Sequence, residues 1–120
     1  MRTIDGGVMT VSRGGKVLVI RSEMREGVVR MKAQGAVTSL TEDDFVDEII
    51  ACLSAGRSVE IDLGGVSFMS STAQRKLLEV QSKYVDKSGL AMELCEVGAL
   101  LYQSFARSHL HTQLRIRREE

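Results

Sequence analysis

The sequence predicts an α/β domain with a small mixed sheet, on three observations. Short β-branched runs crowd the first third of the chain and are separated by glycine-containing turns. Helical apolar periods begin only after residue 40, and short apolar runs divide them. Nothing between these zones has the composition of a linker. Strand–helix alternation from Val28 onward implies right-handed crossovers and a largely parallel sheet in that half. The glycine-linked runs before it imply an antiparallel hairpin on its flank. About three to four helices should pack on this sheet. With 120 residues the chain has room for one domain, residues 1–120. A chain of that size hides roughly two-thirds of its unfolded surface, enough for one core.

The elements follow in order. Val8 to Val11 and Val17 to Ile20 read as strands joined through Ser12-Arg13-Gly14-Gly15, the first being an extra strand within residues 1–15. Val28 to Ala33 is a further strand, reached by the charged turn Ser22 to Gly27. Thr41 is placed to cap a helix with Asp44 closing the box, and Glu42 and Asp43 suit the positive end of its dipole. Phe45, Ile49, Cys52 and Leu53 make its apolar stripe, widened by Val46 and Ile50, and Gly56 ends it. Its acids, Glu42, Asp43, Asp44, Asp47 and Glu48, read as a solvated face.

Val59 to Leu63 is the next strand, followed by a turn at Gly64-Gly65 and the hydroxyl cluster Ser70-Ser71-Thr72. Ala73, Leu77, Val80 and Tyr84 then recur at helical spacing up to Gly89. Leu90 to Cys95 is a strand, and in the third helical stretch Val97, Leu101 and Phe105 share a face with Leu100. Leu114 to Ile116 reads as a last short strand or a helix end, and residues 117–120 as a loose tail.

Composition excludes several functions. Sixteen Lys+Arg balance 16 Asp+Glu, which removes the electrostatic case for a nucleic-acid partner. The chain has no Pro, no Trp and 4% aromatics, too few for a base-stacking platform. No apolar run is of bilayer length and the start lacks a secretory core, so a cytoplasmic protein without membrane insertion is expected. Cys52 and Cys95 are far apart, form no CxxC, and read as small buried hydrophobes. The balanced total conceals a basic segment, Arg13 to Lys32, with six basic and two acidic residues.

Asp62 to Leu78 carries the chemistry. A helix N-terminus offers unpaired N–H groups and the positive end of a dipole, so an anion is well placed there. The hydroxyls also serve as ordinary caps. Arg75 follows Ser71 by four residues and can approach a phosphate on the first turn. The segment lacks the second glycine and the lysine of a nucleotide-binding P-loop, and there is no GxSxG elbow. His109 and His111 share a strand face but lie about 200° apart on a helix, with no partner ligand, so neither metal nor cofactor is expected. A thiol catalyst using Cys95 with His109 or His111 lacks any mark of activation. No catalytic residue and no enzyme activity are expected.

VEIDLGGVSFMSSTAQRKLL, Val59 to Leu78, resembles the signature of STAS domains of the anti-sigma-factor-antagonist type: an apolar strand ending in Asp-Leu, a Gly-Val-x-Phe turn, then Asp-Ser-Ser-Gly into a helix. A weaker likeness runs from about Val28 to Ile116. The resemblance implies a STAS-like fold and a non-catalytic switch in transcription control. It places the phosphorylated hydroxyl at Ser71, with Ser70 and Thr72 as alternatives, and partner contacts at Asp62, Ser70, Ser71, Thr72, Ala73, Arg75 and Lys76. Ser70 stands where the family has Asp, and Ala73 where it has Gly, adding a methyl where a partner's backbone approaches. The implied partner is an anti-sigma factor that is a serine kinase of GHKL type, with a serine phosphatase to reverse it. The alternative implied is an adaptor that binds a lipid-transport ABC ATPase without phosphorylation. Self-association as a homodimer through the extra N-terminal run is a further expectation.

Overall fold

The computed structural model describes the backbone of residues 2–5 and all of residues 7–119. Seven strands lie side by side in chain order: β1 (Arg2–Asp5), β2 (Val8–Arg13), β3 (Lys16–Arg25), β4 (Val28–Val37), β5 (Ser58–Met69), β6 (Met92–Val97) and β7 (Arg115–Arg118). The first four pair antiparallel, and β4 to β7 pair parallel. Helices α1 (Glu42–Ser54), α2 (Ser71–Val80) and α3 (Ala99–Arg107) each cross between neighbouring parallel strands. Crossovers of one hand between strands in sequential order put all three helices on the same face. The sheet therefore has one covered face and one open face.

The strand between turns obeys the pleat. Leu18 and Ile20 on β3, Met31 and Ala33 on β4, Ile61 and Leu63 on β5 and Leu94 on β6 all point into the core. From the helices, Phe45 and Ile49, Leu77, and Phe105 meet them. Gly14 and Gly15, with φ of 56° and 78°, make the two-residue turn that sets Arg13 opposite Lys16. Positive φ at both positions is what a tight hairpin compatible with strand twist requires. The tip of that hairpin is tied to α1, since Arg13 Nε donates to Asp44 Oδ2 at 2.9 Å.

Several expectations are corrected. The charged segment Ser22 to Gly27 is not all turn: β3 continues to Arg25 and only Glu26 and Gly27 reverse the chain. Gly64-Gly65 is not a turn either, because β5 runs through it to Met69 while β4 and β5 shift register twice alongside. Gly35 is required here, since a Cβ on it would lie 2.2 Å from the Val17 carbonyl oxygen. The capping box at Thr41 does not form. Its hydroxyl donates to the Ala36 carbonyl at 2.8 Å and accepts from the Thr38 N–H, while Asp44 is held by Arg13. The solvated acidic face is broken too, as Glu42 and Asp44 are buried.

Leu100 does not share the buried face of α3; it is 83% exposed. Arg117 and Arg118 belong to β7 and not to a loose tail. The extra N-terminal run is two strands, β1 and β2, though side chains before Gly7 lie outside the described residues. Gly56 ends α1 as expected, its N–H donating to Leu53 and that of Arg57 to Cys52, the paired hydrogen bonds of a Schellman cap.

Candidate functional site

The start of α2 sits at the C-terminal ends of the parallel strands, where open α/β sheets place ligands and partners. The Ser70 N–H donates to the Val37 carbonyl at 2.8 Å, pinning the turn to the end of β4. Ser70 is the N-cap: its Oγ accepts from the Ala73 N–H at 3.0 Å and donates to Glu42 Oε2 at 2.8 Å. That carboxylate also takes Lys76 Nζ at 3.5 Å, and Lys76 reaches on to Asp43. The hydrogen bond to Asp43 is the main cause that raises the Lys76 pKa, so the amine stays charged. Ser70 is thereby locked between two helices.

Ser71 and Thr72 behave differently. Both are exposed, and among the described residues neither hydroxyl has a hydrogen-bond partner. Arg75, one turn on, is exposed as well. The first turn of α2 contains no acidic residue. Positive dipole, two spare N–H groups and Arg75 would all favour a phosphate on Ser71. Beside this turn stand two apolar side chains facing water, Phe68 at 53% and Leu100 at 83% exposure. A shallow hollow of about 220 Å³ lies between them, floored by Met69 and Leu101 and edged by Arg107.

The remaining predicted residues lie elsewhere. Ala73 is fully buried, so its methyl packs in the core and does not meet a partner's backbone. Lys76 is engaged by α1, as above. Asp62 lies on the open face of the sheet, its Oδ1 accepting from the Gly64 N–H at 2.8 Å and its Oδ2 3.7 Å from Arg30. Seven residues of β5 lie between it and Ser70, a span of roughly 25 Å.

Glu42, Phe68 and Leu100 are the residues that sequence reasoning did not assign to this site. Only Phe68 carried a signal, as part of the Gly-Val-x-Phe stretch. The position of Glu42 depends on α1 packing against α2, which no local pattern encodes.

The thiol proposal meets an unfavourable environment. Cys95 is buried, donates to Glu93 Oε1 at 3.3 Å and accepts from Arg117 Nη2 at 3.2 Å; neither histidine is a partner. Burial, helped by Glu93, pushes its pKa up to about 11, away from a reactive thiolate. His109 is exposed, and His111 packs edge-on against Tyr102 at 6.0 Å. Among the described residues no His, Cys, Asp or Glu cluster is arranged to hold a metal ion. No helix of the described residues is long and apolar enough to cross a membrane.

The STAS domain model matches residues 19–120. The chain belongs to the STAS domain family. Its solved structural neighbours share that domain's architecture. One is an anti-sigma factor antagonist from Mycobacterium paratuberculosis, with TM-score 0.73 and 18% identity over 83% of this chain and 85% of that one. Another is a candidate anti-sigma factor antagonist from Thermotoga maritima, with TM-score 0.71 and 14% identity over 82% and 85%. A third is an uncharacterized DUF3478-family protein with a SpoIIAA-like fold from Shewanella loihica, at TM-score 0.52, 15% identity and 92% coverage of both chains. No curated protein matches. The STAS match begins inside β3, so β1, β2 and the first hairpins precede it.

Proposed function

We propose that this STAS domain is an anti-sigma factor antagonist that docks through the start of α2 and is released when Ser71 is phosphorylated. The observation that carries the reading is the contrast between two adjacent hydroxyls. Ser70 is held in two hydrogen bonds, whereas Ser71 is exposed and unpartnered on the first turn. A kinase can reach Ser71 without disturbing the fold. The docking surface is then Ser71, Thr72 and Arg75 with Phe68 and Leu100, an apolar pair of the kind that protein interfaces cover. Two neighbours described as anti-sigma factor antagonists support the role.

A phosphate adds about −1.5 to −2 charges. Docking would then require a strongly hydrated group to lose its water against the partner, and the complex is weakened. ATP and magnesium belong to the partner, a serine kinase of GHKL type; a serine phosphatase restores binding. The test is incubation with a cognate GHKL-type serine kinase and ATP, read by intact mass and peptide mapping. One phosphate on Ser71, lost in Ser71→Ala, is expected, together with failure of Ser71→Asp to hold the kinase. Full labelling of Ser71→Ala overturns the site. Stable capture of a transport ATPase with no phosphorylation overturns the role in favour of an adaptor.

A further inference from the structure

We infer that the open face of the sheet holds a binding site for a small sugar phosphate, its phosphate gripped between Arg21 and Lys32. The register of β3 and β4 sets Arg21 directly opposite Lys32, and Glu23 opposite Arg30, all on the face that carries no helix. Directly opposed residues have Cβ atoms about 4.5–5.5 Å apart, and like charges so placed destabilise a sheet. Asp62 stands opposite Lys32 across β4 and β5, but its carboxylate is turned to the Gly64 N–H and to Arg30. Glu23 takes Arg25 at 2.8 Å, while Glu60 and Asp62 approach Arg30 at 3.8 and 3.7 Å. Among the described residues neither Arg21 nor Lys32 has an ion-pair partner. A dianion between them supplies what the fold leaves out.

The surface there is also concave. A hollow of about 430 Å³ is lined by Arg21, Arg30 and Lys32, by Gly7, Val8 and Ser22, and by one carboxylate, Glu23, which Arg25 holds. A second, of about 340 Å³, shares Arg30 and Lys32 and adds Gln34, Asp62 and Glu96. Both volumes are in the range of small-molecule sites. The two differ in chemistry in a useful way. The first sets three cations against one carboxylate, an excess that suits a phosphate, and the second offers an amide and carboxylate oxygens that accept from hydroxyl groups. A phosphate joined to a polyhydroxylated body satisfies both. Gly7 and Val8 precede the residues matched by the STAS model, so this hollow is partly built by the chain's own N-terminal hairpins. The site does not involve the start of α2 and stands or falls apart from the docking role.

The experiment is an amide chemical-shift titration of the full chain with glucose 6-phosphate, inorganic phosphate, and sodium chloride at matched ionic strength. Saturable shifts at Arg21, Ser22 and Lys32 are expected with both phosphates and not with chloride. Glucose 6-phosphate should bind the tighter. Arg21→Gln with Lys32→Gln should weaken both at least about tenfold, the scale of one lost ion pair, with spectral dispersion retained. Gln34→Ala should weaken only the sugar phosphate. Linear shifts matched by chloride, or unchanged binding in the double variant, overturn the site; equal affinity for the two phosphates overturns the sugar-phosphate assignment.

Discussion

One residue along a strand separates the two environments of this sheet. Ile20, Met31, Ile61 and Leu94 are at most 1% exposed under the helices, while their chain neighbours Arg21, Lys32, Glu60 and Glu93 carry charge on the open face. The alternation is the pleat itself, and it divides labour. The covered face supplies stability through apolar area, and the open face and its rim carry the two sites proposed above, at small energetic consequence. The α2 start lies on that rim, where buried Ala73 adjoins exposed Ser71. Substitutions should therefore divide sharply by face.

The largest effect is expected inside. Phe105 is fully buried among the residues that join α3 to the sheet, and Phe105→Ala should cost about 3–5 kcal/mol through lost burial and a residual cavity. Denaturant unfolding would show a lower midpoint at similar slope. Lys32→Gln, on the open face, should stay within about 0.5 kcal/mol. Comparable losses in the two variants would break the division.

Ser70→Ala comes next. It removes the N-cap bond to Ala73, typically worth about 1 kcal/mol. It also takes from the buried Glu42 carboxylate one of its two polar partners, leaving Lys76 alone. A loss of about 1–2 kcal/mol is expected by the same unfolding measurement. A change under about 0.3 kcal/mol would show that Ser70 is not structurally engaged.

How far the sequence reveals these features depends on whether their causes are local. The Gly14-Gly15 hairpin, the period of α1 and the Gly56 stop were legible because neighbouring residues determine them. The Thr41–Asp44 box failed because a distant residue, Arg13, captured the acid. The end of β5 was hidden because paired glycines usually break strands, whereas here they accompany register shifts. A last strand near Leu114 to Ile116 was one of two readings, but its continuation through Arg117 and Arg118 was hidden, because two arginines resemble a tail and pairing with β6 needs only their backbone. At the candidate site, the place of Ser71 at a helix start was readable from the local sequence. Glu42 was not, because it arrives through the packing of α1 on α2.

Cys95 tests the open face at alkaline pH. Its thiol is pushed up to about 11 by burial first and by Glu93 second. In the unfolded chain a thiol ionises near 8.5. The unfolded state therefore loses its proton first, and the stability due to this group falls as pH rises from about 8.5 to about 11. The stability difference between wild type and Cys95→Ala should shrink across that window, and a difference that stays flat would show the thiol to be no less ionisable when folded. Iodoacetamide should label native Cys95 slowly at neutral pH for the same reason.

The smallest change in stability is expected at the position proposed for phosphorylation. The Ser71 hydroxyl makes no hydrogen bond among the described residues, and Ser71 is not the N-cap. Ser71→Ala should therefore leave the unfolding midpoint almost unmoved, within about 0.5 kcal/mol, in line with exposed sites. Alanine has the better helix propensity, which favours a slight gain. The same variant should lose all phosphate acceptance. Measured together with Ser70→Ala, it separates two hydroxyls one residue apart into one that holds the helix and one that presents itself. A Ser71→Ala loss as large as that of Ser70→Ala would mean that both are structural. The free hydroxyl on which the docking model depends would then not exist.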